Sequence, residues 1–400
     1  MIAYALLALA LIGTLASTVF LWLVLLAARR FQLECKKAES AGAPVPRAGA
    51  ARPGTSDLPP VTLLKPVHGM EPMLEESLES FFRADYPQFE IIFGARQADD
   101  AALQVVEQLR QRYPSVKVKV VLSGEPPWPN AKVYSLEKMV AAAAHDYFII
   151  SDSDVRVEPG YIHDVVRPLL DPQNGMVTCV YRGVATGGLW SRLEALGMSV
   201  EFASGVVTAD MLEGMRFALG PTMAIRRDVL ERVGGVAVLA DYCADDYVLG
   251  SLTHQAGYKV VLSHHVIDHI VLGRSAGESL SHQVRWMKST RYSRPKGHVG
   301  TGLTFATPYG LLGLAAGFLL GNPALGFGLL AWALVNRWTQ ALAVGVGVAR
   351  DRAVLRWFWL YPVRDLLGFL VWCASFMGSG IQWRGERYRL LPGGKMVKSA

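Results

Sequence analysis

From Ile2 to Ala28 the chain carries no charged residue, and most positions are Leu, Ala, Val, Ile or Phe. At about 1.5 Å of rise per residue, such a run coiled as a helix crosses the roughly 30 Å hydrocarbon core of a bilayer. No basic stretch precedes it and no small-residue cleavage pattern follows it. Residues 1–30 are therefore expected to be a retained N-terminal transmembrane anchor rather than a removed signal peptide. Arg29, Arg30, Lys36 and Lys37 come directly after the run. The bias of basic residues toward the inner side of a membrane then places the following chain in the cytoplasm. Composition agrees, with 51% hydrophobic and 18% charged residues among 400, too apolar for an ordinary soluble protein. The net charge of +6 suits either nucleic acid or an anionic lipid surface. The Lys and Arg residues cluster beside apolar runs, so the expected partner is the lipid bilayer and not nucleic acid. Cys35, Cys179, Cys243 and Cys373 are scattered, with no CxxC pair. That spacing argues against a disulfide scaffold or a zinc knuckle.

Residues 31–60 read as a flexible linker, because the stretch "AGAPVPRAGAARPGTS" has nothing from which to build a core. Residues 61–298 are mixed polar and apolar, as in a globular domain. Residues 299–382 return to membrane-like composition, with candidate spans Leu303–Leu320, Ala324–Val348 and Trp357–Ile381. The third contains Arg364 and Asp365, which are costly in lipid. It leads into a basic tail, residues 383–400, with Arg384, Arg387, Arg389, Lys395 and Lys398. A full span would put this tail on the side the charge bias disfavours; a re-entrant or interfacial segment would not. Both arrangements stay open.

Within the globular part, "VTLLKPV", "FEIIFGA", "VKVKVVL" and "YFIIS" read as strands, and "EPMLEESLESFF", "AALQVVEQLRQRY" and "SLEKMVAAAA" as helices between them. Strands alternating with helices predict an α/β fold with a mostly parallel, Rossmann-like sheet covered by helices on both faces. In such sheets ligands bind beyond the carboxyl ends of the strands. "FIISDSDVRV" puts Asp152 and Asp154 at that end of a central strand. Two carboxylates this close repel one another unless a cation lies between them. Mg²⁺ or Mn²⁺ held there would bridge a diphosphate. A solvated turn after a strand is the competing reading of the same triplet.

"YCADDYVLG" sets Asp245 and Asp246 ahead of an apolar run, as a helix cap or as a carboxylate able to deprotonate a hydroxyl. "HQVRWMKSTRYSRPK" carries Gln283, Arg285 and Trp286, then Lys288, Arg291, Arg294 and Lys296. It suits a diphosphate or, in its later half, a basic helix beside the membrane. "SHHVIDHI" is strand-like, and its histidines are expected to be hydrogen-bonded or to line an acceptor site rather than to hold zinc. "LWSRLEALGMSVEF" has Leu189, Leu193, Leu196 and Val200 at helical spacing, which suits core or interfacial packing more than a lipid groove.

Taken together, "ADDAA", "SDSD", "ADDY" and "QVRW" resemble the ordered acidic motifs and QxxRW of the ceramide glucosyltransferases. These are inverting membrane enzymes with a nucleotide-sugar-binding domain of GT-A type. "LLKPVHG", "FFRADYP", "PNAKVYSLEKM" and "WRGERYRL" extend the similarity over nearly the whole chain beyond the linker. Bacterial transferases that put N-acetylglucosamine on hopanoid lipids are similar over the same motifs.

The resemblance implies transfer of a hexose from a UDP-sugar to the hydroxyl of a membrane lipid acceptor, foremost glucose to ceramide, with help from Mg²⁺ or Mn²⁺. It implies that Asp100, or its neighbour Asp99, contacts uridine, with Asn130 and Lys132 near the nucleotide or diphosphate. Asp152 and Asp154 would serve the metal and donor sugar. Asp246 would be the general base, and Gln283, Arg285 and Trp286 would hold the diphosphate. Competing readings are UDP-N-acetylglucosamine-dependent glycosylation of a hopanoid polyol, a processive polysaccharide synthase, and a noncatalytic nucleotide- or lipid-binding membrane protein.

Overall fold

The computed structural model describes residues 1–40, 58–273, 275–383 and 386–399. The linker expected across residues 31–60 is helical over its first ten positions, because the helix Ile2–Ser40 runs on past the expected anchor boundary. Residues 41–57, and Arg384 of the expected basic tail, lie outside the described residues. The chain divides into two compact units, each assembled from separated stretches. One comprises Glu34–Tyr181, Glu213–Leu272 and Gly394–Ala400; the other comprises Met1–Leu33, Arg182–Leu212 and Gly273–Gly393. The segment 182–212, read from sequence as part of the globular domain, thus groups with the C-terminal helices.

The first unit is α/β. Its strands are β1 (Val61–Pro66), β2 (Phe89–Ala95), β3 (Lys117–Leu122), β4 (Tyr147–Ile150), β5 (Val155–Arg156), β6 (Asn174–Ala185), β7 (Met223–Arg226) and β8 (Lys259–Val271). They form one eight-stranded sheet in the order β3-β2-β1-β4-β7-β6-β8-β5. The expected parallel sheet is present over β3-β2-β1-β4, with Leu63 opposite Ile91 on one side and Ile149 on the other. Beyond β4 the pairing turns antiparallel, as in β4 with β7, β6 with β7, and β5 with β8. Val61, Leu63, Leu64, Ile91, Ile92, Phe93, Phe148 and Ile149 are completely buried, as strands covered on both faces require. β3 is the sheet edge, and its exposed lysines are a common guard against edge pairing.

The second unit is helical. Among the described residues, two helices are long and apolar enough to cross a membrane. Ile2–Ala38 is the expected anchor, and it leaves Ile12, Leu15, Trp22 and Leu26 exposed, a surface suited to lipid rather than water. The other is Gly188–Glu213, whose apolar window is 61% buried, as the core helix of a globular unit would also be. It is continuous through a wider π turn at Gly197–Phe202. Leu193, Leu196 and Val200 pack there with Ala341, Val354, Leu360 and Tyr361, in agreement with the packing role read from their spacing, while Leu189 is exposed.

The C-terminal candidate spans differ from expectation. They contain Thr307–Leu319, Pro323–Gln340 with a π continuation at Ala341–Val346, and Tyr361–Ser375. None of these meets the length and hydropathy of a span among the described residues. Thr307–Leu319 and Tyr361–Ser375 are short, at 13 and 15 residues, and the segments also carry buried charge. Arg337 and Asp365, each only 2% exposed, form an ion pair at 2.9 Å. The second oxygen of Asp365 accepts the Ala306 and Thr307 N–H groups at the start of the helix Thr307–Leu319. Arg364 pairs with Glu201 at 3.1 Å. The two charges that looked expensive in lipid are therefore neutralised inside the protein. After this helix, β9 (Gly380–Trp383) and β10 (Glu386–Leu390) form an antiparallel pair.

Candidate functional site

Parallel strands deliver their following loops to one edge of the sheet. β1 leads to His68 and Gly69, β2 to Asp100, β3 to Asn130 and Lys132, and β4 to Asp152 and Asp154. Residues far apart in sequence are gathered by that geometry alone.

Lys132 is the hub. Its Nζ lies 2.7 Å from Asp152 Oδ1 and 3.5 Å from Asp245 Oδ2. Burial opposes the charged ammonium, but Asp152, Asp245 and Asp246 more than offset it and hold its pKa above the ordinary lysine value. Asn130 places this lysine. Its Oδ1 accepts from Val133 N–H to cap the helix Ala131–Ala142, and its Nδ2 donates to the Tyr242 carbonyl. The side chain is fully buried and both ends are engaged, so Asn130 shapes the site rather than facing a ligand.

Asp246 lies in the first turn of the helix Asp245–Gln255. Its two oxygens accept from Gly220 N–H and Tyr247 N–H, each at 2.8 Å. A Cβ at Gly220 would come within 3.2 Å of the carboxyl, so glycine permits that approach. Burial, then the neighbouring Asp245 charge, raise the Asp246 pKa to about 6 against the pull of its hydrogen bonds and Lys132. A carboxyl tuned in this way can accept a proton near neutral pH. Neither aspartate caps the helix through its side chain, since the N-cap is Ala244.

Asp100 ties the loop after β2 to the loop after β1. Oδ1 accepts from Gly69 N–H at 2.8 Å and Ala102 N–H at 3.0 Å, and Oδ2 lies 3.2 Å from His68 Nδ1. Gly69 has φ of 66°, a conformation that favours glycine. Asp99 is exposed, so of the two adjacent aspartates it is Asp100 that is built into the site.

Asp154 Oδ1 is buried without a hydrogen-bond partner, and Oδ2 lies 3.7 Å from His269 Nε2. Among the described residues no group of three or more His, Cys, Asp or Glu is placed to hold a metal ion alone. One or two carboxylates completed by phosphate oxygens and water are the usual surroundings of Mg²⁺. Asp152 and Asp154, whose Oδ1 is buried and unpartnered, fit that arrangement and not an all-protein cage. His265 Nδ1 is hydrogen-bonded to Asp164 Oδ2 at 2.8 Å, and His264 Nε2 lies 3.8 Å from Asp164 Oδ1.

Sequence reasoning missed Lys65. It is fully buried, donates to Ser151 Oγ and to the Asp152 carbonyl, and sits 3.7 Å over the Phe81 ring. Burial lowers its pKa to about 7. A lysine inside the apolar run "VTLLKP" was the available signal.

Gln283, Arg285 and Trp286 belong to the helical unit, on the helix Ala276–Ser293. A capping box between Ser275 and Glu278 starts that helix. Arg285 lies over the Trp383 ring, and Lys288 and Arg291 donate to the Gly380 and Ser375 carbonyls.

The family model described as glycosyl transferase family 21 matches residues 12–396. Ceramide glucosyltransferase 1 of Caenorhabditis elegans is 25% identical over 353 residues, covering 86% of this chain and 74% of the relative. The ceramide glucosyltransferase of Komagataella phaffii is 37% identical over 113 residues, 27% of this chain and 22% of the relative. Among solved structures, the mannosyltransferase PcManGT from Pyrobaculum calidifontis has a TM-score of 0.48 at 20% identity, covering 90% of this chain and 99% of the other.

Proposed function

This chain belongs to glycosyl transferase family 21 and is a glycosyltransferase, and from that premise we propose that it transfers glucose from UDP-glucose to the hydroxyl of ceramide with inversion. The names of its relatives support the acceptor and the sugar. The observation that carries the reading is Asp246, a carboxyl whose pKa is raised to about 6, next to Asp245, which shares Lys132 with Asp152 of the DxD triplet. An inverting displacement makes one attack from the opposite face of the sugar and needs one proton acceptor. In this reading Asp246 takes the proton of the lipid hydroxyl as its oxygen attacks the anomeric carbon.

Asp152 and Asp154 would hold a divalent ion, which when bound neutralises the charge gathering on the leaving diphosphate. Lys132 holds Asp152 in place and adds positive charge near the same group. Asp100 serves the uridine, and Gln283, Arg285 and Trp286 serve the donor, with Arg285 suited to phosphate. The anchor fixes the α/β unit to the membrane holding the acceptor, on the cytoplasmic side, which limits the search for a lipid hydroxyl to the bilayer surface.

The test is expression in a host that lacks glycolipids, followed by mass spectrometry of its lipids after feeding ceramide. Glucosylceramide is expected from the wild type and not from Asp246→Asn. A glycosylated hopanoid polyol in place of glucosylceramide would overturn the acceptor, and full turnover by Asp246→Asn would remove the base.

A further inference from the structure

Glu194 is a carboxylate flanked by Leu193, Ala195 and Leu196 on the helix Gly188–Leu196, and it is only 3% exposed. A buried acid at such a position is costly unless its hydrogen bonds are supplied. Two come from the QVRW helix. Ser279 Oγ donates to Glu194 Oε2 at 2.6 Å, and His282 Nδ1 lies 2.9 Å from Oε1. Gln283 Nε2 then donates to Ser279 Oγ at 3.1 Å. The His282 ring lies against Trp286, with centroids 4.2 Å apart. Positions 279, 282, 283 and 286 follow the i, i+3, i+4, i+7 spacing of one helix face.

The polarity of this chain is fixed at its start. An ionised carboxylate only accepts, so Ser279 must spend its single proton on Glu194. Ser279 Oγ is then left as the acceptor for the Gln283 amide. This turns the nitrogen of Gln283 inward and leaves its Oε1 buried without a partner. We infer that Glu194 is a positioning residue of the transferase: through Ser279 it orients Gln283 so that the amide oxygen accepts a hydroxyl of the donor sugar, and through His282 it holds Trp286. Diphosphate oxygens are acceptors and cannot satisfy Gln283 Oε1; a sugar hydroxyl can. The inference rests on the reading above that Gln283 contacts the nucleotide-sugar.

The experiment compares UDP-glucose with UDP on the full-length, membrane-reconstituted enzyme. Ser279→Ala removes one buried hydroxyl from a helix and is the main variant; Glu194→Gln is the second. Each is expected to raise KM for UDP-glucose about tenfold, the loss of roughly one hydrogen bond, while inhibition by UDP and KM for ceramide stay within about twofold. The double variant Ser279→Ala/Gln283→Ala should be no worse than Gln283→Ala alone, because both lie on one chain of contacts. If Gln283→Ala weakens UDP-glucose but Ser279→Ala and Glu194→Gln do not, Glu194 has no positioning role. Equal weakening of UDP and UDP-glucose, or a rise confined to the ceramide KM, also overturns the inference. An unchanged Gln283→Ala instead sinks the underlying assignment of Gln283 to the donor.

Discussion

Replacing Asp246 by Asn should abolish glycosyl transfer and, at alkaline pH, make the α/β unit more stable. The pKa of this carboxyl rises from 3.8 to about 6, first through burial and then through the Asp245 charge. A folded-state pKa above the unfolded one means that the folded protein binds the proton more tightly. Its stabilisation is complete below about pH 4 and is lost as pH climbs through about 6. At about 1.4 kcal/mol per pH unit, the whole effect is at most about 3 kcal/mol, and roughly half of it falls between about pH 5 and pH 8. Asn carries no charge to desolvate, but its amide can accept only one of the two N–H groups, from Gly220 and Tyr247, that now meet the carboxylate. The lost acceptor costs about 1–2 kcal/mol and does not vary with pH. The variant minus wild-type stability should therefore rise by about 1.5 kcal/mol between about pH 5 and pH 8. Denaturant melts of the two proteins in the same detergent, followed through the α/β unit, measure it. A difference that stays flat across this range would refute the raised pKa and the electrostatic argument for Asp246 as a base.

Lys132→Met should leave Asp152 and Asp245 without their shared cation. Since Asp152 is about one-third exposed, the expected loss is about 2–3 kcal/mol rather than the full cost of a broken buried pair, with UDP-glucose binding lost in calorimetry. Chelation with EDTA should suppress turnover, and added Mn²⁺ or Mg²⁺ should restore it; activity indifferent to the chelator would exclude the ion assigned to Asp152 and Asp154. Asp365→Ala strands Arg337 and uncaps the helix Thr307–Leu319, so about 3–5 kcal/mol should be lost in thermal melts. The double change Arg337→Met/Asp365→Leu should recover much of that loss.

Periodicity alone revealed the anchor, the α/β alternation and the strand behind Asp152, because covered strands and lipid-facing helices each impose a one-dimensional pattern. The acidic motifs were legible as candidates for the same reason: Asp152 and Asp154 follow an apolar run and Asp246 precedes one. Local pattern did not reveal the partners. That Lys132 joins Asp152 to Asp245, that Gly220 supports Asp246, and that Asn130 is buried as a cap are pairings between residues remote in sequence. They exist because the parallel strands bring their loops to one edge and antiparallel β7, whose first residue Met223 lies opposite Ile150 at the end of β4, returns later segments of the chain to it. Arg364 and Asp365 looked prohibitive in a membrane segment, yet Glu201 and Arg337 neutralise them, and no window of sequence shows an ion pair across 28 or 163 positions. The sequence determined which segments are apolar and where acids and bases stand along the chain. Only the tertiary structure decided which charges meet, since electrostatic energy depends on distance in space and not on order in the chain.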